Sequence, residues 1–268
     1  MADLIPIDDP NDPRVAAYRD IKERDLVGRQ GLFIAEGETV LRAFVRDAPE
    51  RVQSLLIDGK RADKLGEVYA GLPDGVPVYV VGQAVLDAIA GFHLHRGVLA
   101  VGSKPEPLSA DALLAAAGER AVVVVLMGIA NHDNLGGIFR NAAAFGVDGV
   151  ILDSDCCDPL YRKAIRVSIG ATLSVPTAWL APGEDVVDLL DRHGFQGLAL
   201  SPAADQTLAK LAPPARAAVL LGAEGPGLSK AVMDRVSTVG IPMAGGFDSL
   251  NVATTSGIVL HHLRFAER

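Results

Sequence analysis

The chain has 268 residues, 49% of them apolar and 5% aromatic, with a formal net charge of −8. That length exceeds one average domain and points to two, and the apolar share excludes a disordered chain. The acidic balance runs against a nucleic-acid partner unless basic side chains are gathered on one face.

Taken from the start, Asp12–Asp25 reads as a helix, Gly31–Ala35 as a strand and Glu38–Arg46 as a helix with Val40, Leu41, Phe44 and Val45 on neighbouring turns. Strands are expected at Val52–Ile57, Val76–Val81 and Val98–Val101, with helices at Ala62–Ala70 and Ala84–Ala90. Two prolines and the cap-forming Ser109 then mark a junction near 103–112. Beyond it strands are expected at Val122–Met127, Gly149–Leu152, Leu173–Trp179, Leu198–Ser201, Ala217–Leu221 and Val236–Ile241. The intervening helices are Gly137–Phe145, Glu184–His193 and Ser229–Arg235, and Val252–Phe265 closes the chain with Ile258, Val259 and Leu263 facing inward. Apolar strands alternating with helices imply a parallel sheet covered on both faces. The reading is therefore α/β throughout, with a small unit over 1–105 and a parallel-sheet domain over 112–268.

The longest apolar stretch at a strand, Ala121–Met127, is far too short to span a bilayer, and the acidic first residues do not form a signal peptide. No membrane association is expected, and the cytoplasm is the expected location. Cys156 and Cys157 are the only cysteines. A vicinal disulfide is strained and two sulfurs cannot complete a zinc site, so reduced structural thiols are expected. His93 and His95 alternate with Leu94, as metal ligands on a strand would, but no third ligand accompanies them. No metal is expected.

Three polar-glycine signatures fall where expected strands end, the edge at which open α/β sheets bind ligands. They are Asn134-Leu-Gly136-Gly-Ile-Phe-Arg140, Leu221-Gly222-Ala-Glu224-Gly225-Pro-Gly227-Leu228, and Ile241-Pro242-Met243 running on to Ser249-Leu250-Asn251-Val252. The second contains neither a P-loop nor a dinucleotide fingerprint: Gly227 is followed by Leu228 and Ser229, and Lys230 comes too late. What remains is a backbone turn able to approach an adenosine-like ligand closely, or a tight strand-to-helix connection. The turn at Ile241–Gly246 offers apolar members to an adenine or methionine pocket. Arg140 lies close to the expected helix start at Asn134–Gly137, where free N–H groups and a planar guanidinium suit a phosphate. For a lone Asn or Ser at such a place, capping a helix is the default reading.

In this order the three signatures resemble those of the SpoU (TrmH-type) family of RNA ribose 2′-O-methyltransferases, over roughly residues 121–264. The resemblance implies a parallel α/β domain tied in a deep trefoil knot, a homodimer, and S-adenosyl-L-methionine as cofactor. By resemblance Gly222, Ile241 and Leu250 contact that cofactor, with Leu200, Ser201, Leu221 and Met243 beside them. Arg140 takes the place of the family's catalytic arginine. Because an arginine essentially never deprotonates in proteins, its preferred role is to hold a phosphate and stabilise a developing alkoxide; the family's general-base proposal stays open. Ser249 and Asn251 position the ribose or Arg140, while Asn134 and Glu224 shape the site.

The segment Asp158–Ala171 matches a basic stretch of the family, and Arg162, Lys163 and Arg166 form the strongest basic cluster of the second block. The first block resembles the substrate-binding domain that precedes many SpoU domains, on Gly31–Glu38 and His95–Ala100. Arg24, Arg29, Arg42 and Arg46 are its candidates for RNA contact. These expectations add up to methylation of a ribose 2′-oxygen in structured RNA, ribosomal before transfer RNA. An RNA-binding assembly factor that keeps the fold without turnover is the alternative. A conventional nucleotide-dependent enzyme fails on the missing phosphate motifs.

Overall fold

Strand register explains the first sheet. Along β3 (Val52–Asp58), Leu55 and Ile57 point to one apolar cluster and Leu56 to another. The same alternation runs along β5 (Val98–Ser103), where Val98 and Ala100 face one side and Leu99 and Val101 the other. With β1 (Leu4–Pro6), β2 (Leu32–Glu36) and β4 (Val78–Val81), these form a sheet in the order β1-β4-β3-β5-β2. Strand β5 is antiparallel to β2 and β3, and the other pairs are parallel.

The computed structural model describes residues 3–19, 27–28, 30–91, 93–94, 97–201, 204, 206–245 and 249–266. Arg24, Arg29, His95 and Gly246, along with most of the second half of the helix expected at Asp12–Asp25, lie outside them. Of that helix the structure describes a 3₁₀ segment, Pro13–Tyr18.

The chain divides into two units, and the first takes in Met1–Glu106 together with Asp158–Ser174. That second segment, read from sequence as part of the C-terminal block, puts Leu160, Ile165 and Leu173 into the same cluster as Phe33, Phe44 and Leu55. Each such side chain contributes about 1.5–3 kcal/mol on full burial, so the segment is part of this core and not a decoration on it. Its expected strand at Leu173 is instead a helical turn, Ala171–Ser174.

The second unit, Pro107–Cys157 and Val175–Arg268, holds an all-parallel sheet in the order β10-β12-β9-β11-β6-β7-β8. Its strands are β6 (Ala121–Met127), β7 (Gly149–Leu152), β8 (Thr177–Trp179), β9 (Gln196–Leu200), β10 (Gln206–Thr207), β11 (Arg216–Gly222) and β12 (Ser237–Gly240). Strand β6 lies between β7 and β11 and is buried from Ala121 to Leu126, as a central parallel strand must be. Helices Ala110–Ala116 and Val186–Arg192 cover one face through Leu113, Leu114, Val187 and Leu190.

Two longer helices matter for the site. Helix α1 (His132–Ala144) follows β6, and helix α2 (Val252–Phe265) ends the fold. They pack closely: a Cβ on Gly137 would come within 2.8 Å of the Ala253 Cβ. Asn141 Nδ2 donates to the Ala253 carbonyl at 2.7 Å and to Ser256 Oγ at 2.9 Å. The small residues of Ala253–Gly257 thus serve a contact within the chain. Val259 and Leu263 face inward as expected, but Ile258 is 39% exposed, because the inward stripe is completed by Ser256 and Leu260.

Candidate active site

Three neighbouring parallel strands, β12, β9 and β11, end on one edge of the second sheet, and a cavity of about 530 Å³ opens there. All seven residues expected to contact a cofactor line it: Leu200 and Ser201 from the end of β9, Leu221 and Gly222 from β11, and Ile241, Met243 and Leu250 from the segment beyond β12. Glu224, Ser249 and Asn251 line it as well. The turn residues Ala223, Gly225, Gly227 and Leu228 also line it, and Leu220, Val239, Val252 and Thr255, which were not foreseen as site residues, complete the wall. Thr255 lies one helical turn beyond Asn251, a spacing that could have flagged it.

The turn after β11 admits no side chain at its first position. A Cβ on Gly222 would stand 2.3 Å from the Gly227 carbonyl carbon and 2.4 Å from the Leu228 nitrogen, so a chain folded back this tightly requires glycine. Gly225 and Gly227 adopt φ of 92° and 66°, the left-handed region open to glycine. The Gly227 N–H closes the loop on the Ala223 carbonyl at 3.0 Å.

A hydrogen-bonded chain of side chains runs beside the cavity. The Ala253 and Thr254 N–H groups donate to Asn251 Oδ1 at 2.9 and 3.2 Å, capping α2. Asn251 Nδ2 donates to Asn134 Oδ1 at 2.8 Å, and Asn134 Nδ2 donates to Glu224 Oε1 at 2.6 Å. Each signature thus supplies one member. Asn251 both caps α2 and lines the cavity, so capping does not take it away from the candidate site.

Helix α1 begins five residues before the expected Gly137. Asn131 caps it, accepting from the Asp133 and Asn134 N–H groups at 2.8 and 3.3 Å. Asn134, Leu135 and Gly136 are consequently buried inside the helix, and the expected phosphate seat on free N–H groups at Asn134–Gly137 is absent. Arg140 lies further along α1, exposed, and none of the described residues pairs with its guanidinium. It does not line the cavity.

The basic cluster lies in the first unit. On the helix Arg162–Val167, Arg162 Nε and Arg166 Nη1 stand 3.6 and 3.7 Å from one oxygen, Oε2 of the buried Glu36, while Lys163 is exposed. Arg42 is held by Glu38 and Glu67, and Arg46 by Asp47. His93 precedes β5 instead of lying on it, and its Nδ1 is 2.6 Å from Asp87 Oδ2. Among the described residues no group of three side chains could hold a metal. Cys156 and Cys157 are not disulfide-bonded; burial, with Asp153 beside it, pushes the Cys156 thiol up to about 12. No helix among the described residues is long and apolar enough to cross a membrane.

Comparison with known proteins gives a consistent picture. The model of the SpoU rRNA Methylase family matches residues 121–261. The "Uncharacterized tRNA/rRNA methyltransferase Rv0881" of Mycobacterium tuberculosis is 41% identical over 97% of this chain and 91% of its own. The "23S rRNA (guanosine-2′-O-)-methyltransferase RlmB" of Salmonella typhimurium is 31% identical over 84% and 94% respectively. Among solved structures, an rRNA methyltransferase from Sinorhizobium meliloti with bound AdoMet superposes with a TM-score of 0.82, covering 97% of each chain at 22% identity.

Proposed function

The chain belongs to the SpoU rRNA methylase family, and from that membership we propose that it methylates a ribose 2′-oxygen of ribosomal RNA, using S-adenosylmethionine. The observation that carries the reading is the meeting of all three signatures at one cavity, joined by the Asn251–Asn134–Glu224 chain. The activity named for the Salmonella relative supports the choice of a ribose oxygen and of ribosomal RNA.

The cavity suits the cofactor. Its volume lies in the range of about 300–1,000 Å³ usual for small-molecule sites. Leu200, Leu221, Ile241, Met243 and Leu250 supply apolar walls, and Gly222 lets backbone approach closely. When bound, S-adenosylmethionine supplies a methyl group made electrophilic by a sulfonium. The rest is the protein's work. Leu250, 42% exposed, gains cover from the ligand. Arg140, unpaired among the described residues, holds a phosphate and stabilises negative charge developing on the ribose oxygen. Ser249 and Asn251 position the ribose.

Arg162, Lys163 and Arg166, with Arg24 and Arg29, meet RNA phosphates, which reconciles an acidic protein with a polyanionic substrate. The deep trefoil knot expected of the family belongs to this reading, supported by the placement of β11 between β6 and β9. So does a homodimer. Ile258 and Phe265 are exposed two turns apart on α2, with Phe145 edge-on and His261 tilted against Phe265, an apolar surface suited to a second copy. A cytoplasmic location follows from the substrate.

The test is to incubate the purified protein with radiolabelled S-adenosylmethionine and total RNA from a strain lacking the gene, and then to map ribose methylation. Label at a 2′-oxygen of ribosomal RNA is the expected result. Cofactor binding without transfer to free or partly assembled ribosomal RNA would leave an RNA-binding assembly factor, and absence of cofactor binding would overturn the reading.

A further inference from the structure

A ribose hydroxyl that takes a methyl group must lose its proton, and an arginine is a poor acceptor because its guanidinium stays protonated in proteins. Among the described residues lining the cavity, Glu224 is the only titratable side chain; the rest are apolar, glycine, serine, threonine or asparagine. Its hydrogen bonding is also directional. Backbone N–H groups can only donate, so the atom of Asn251 facing Ala253 and Thr254 is the amide oxygen. The other end of that amide is then the NH₂, which makes its partner on Asn134 the oxygen. By the same logic Asn134 presents its NH₂ to Glu224 Oε1, which is left no role but acceptor. The second carboxylate oxygen, Oε2, has no partner among the described residues, and the side chain is exposed.

From this arrangement we propose that Glu224 is the proton acceptor for the 2′-hydroxyl, held in its acceptor state by the amide relay that begins at the cap of α2. The proposal rests on the methyltransferase reading above. The O–H bond breaks as the new O–C bond forms. The proton passes to Glu224 Oε2 and from there to water, while the sulfonium becomes a neutral thioether. Charge and atoms balance without a further reactant. Arg140 and Glu224 then divide the work, one stabilising charge on the oxygen and the other removing the proton.

Glu224→Gln tests this cleanly, since its amide oxygen can still accept from Asn134 while an NH₂ group, which donates and takes no proton, replaces Oε2. We expect single-turnover methylation at saturating S-adenosylmethionine to fall by roughly 10²–10⁴-fold, the usual worth of a general base. Glu224→Ala should be equally slow and should recover part of its rate as formate is added, because formate supplies the missing carboxylate. Glu224→Gln turning over within about threefold of wild type, or Glu224→Ala indifferent to formate, overturns the proposal. Wild-type protein that binds no cofactor by calorimetry removes the reading beneath it, an outcome visible before any variant is made.

Discussion

Asn251 donates from Nδ2 to Asn134 Oδ1 over 2.8 Å, although 117 positions separate them in the chain. The bond ties the cap of α2 to helix α1 and sets the polarity of both amides between that cap and Glu224. Asn251→Asp separates these duties. An aspartate caps a helix as well as an asparagine does, so thermal stability should stay within about 1 kcal/mol. It cannot donate to Asn134, and turnover should drop at least tenfold. Equal turnover at equal stability would show that the relay is dispensable.

Arg140→Ala should remove most methyl transfer while leaving cofactor affinity nearly intact, because Arg140 does not line the cavity. Being exposed and unpaired among the described residues, it should cost no more than about 0.5 kcal/mol in stability. Calorimetry with S-adenosylmethionine, melting curves and a transfer assay check all three. A variant with wild-type transfer would remove Arg140 from the reaction.

Gly222→Ala places a methyl 2.3 Å from the Gly227 carbonyl carbon, against backbone that can only yield by opening the turn. The expected cost is about 1–3 kcal/mol of stability, with loss of cofactor binding. Wild-type affinity in a calorimetric titration would mean that the turn does not shape the pocket.

Cys156 donates from Sγ to the Leu126 carbonyl and accepts from the Ile129 N–H, both at 3.3 Å, and its thiol is raised to about 12. The thiolate is the reactive form. In a Cys157→Ser background at pH 8, Cys156 should therefore resist an aromatic disulfide reagent until the protein is unfolded. Prompt labelling of the native state would contradict the burial.

The His93 ring, the Leu94 N–H and Gln83 hold the Asp87 carboxyl at about 2, below its ordinary 3.8. A depressed folded value means that the contribution is present above about pH 4 and lost as the pH falls towards about 2. Melting temperature should consequently fall less steeply over that window in Asp87→Asn than in the wild type. Parallel curves would show that Asp87 does not couple to folding.

Local chemistry was legible where one residue type had a single physical use. Gly222 after an apolar strand announced a turn, and the apolar run at Ala121–Met127 gave a strand over its full length, buried as far as Leu126. Features set by distant partners were not. Helix α1, expected to start at Gly137, starts at His132, and Gly137 is small because Ala253 lies against it. Leu173 reads as a strand residue, yet it is buried in the core of the first unit. Ile258, expected to face inward with Val259 and Leu263, faces out, off the stripe of Ser256, Val259, Leu260 and Leu263. Strands β1 and β10, three and two residues long, are too short to leave a period at all. The role of Asn141 depended on Ser256 and the Ala253 carbonyl, which no spacing rule could place.

Leu160, Ile165 and Leu173 complete the core of a unit whose other residues end at Glu106. During synthesis, then, the ribosome releases that first stretch long before its missing wall has been made. The nascent unit must wait with apolar surface uncovered until residue 174 has emerged, by which time β6, α1 and β7 of the other unit are already out. A gene fragment stopped at residue 106 would reproduce this unfinished state permanently, and is expected to aggregate where the full chain does not.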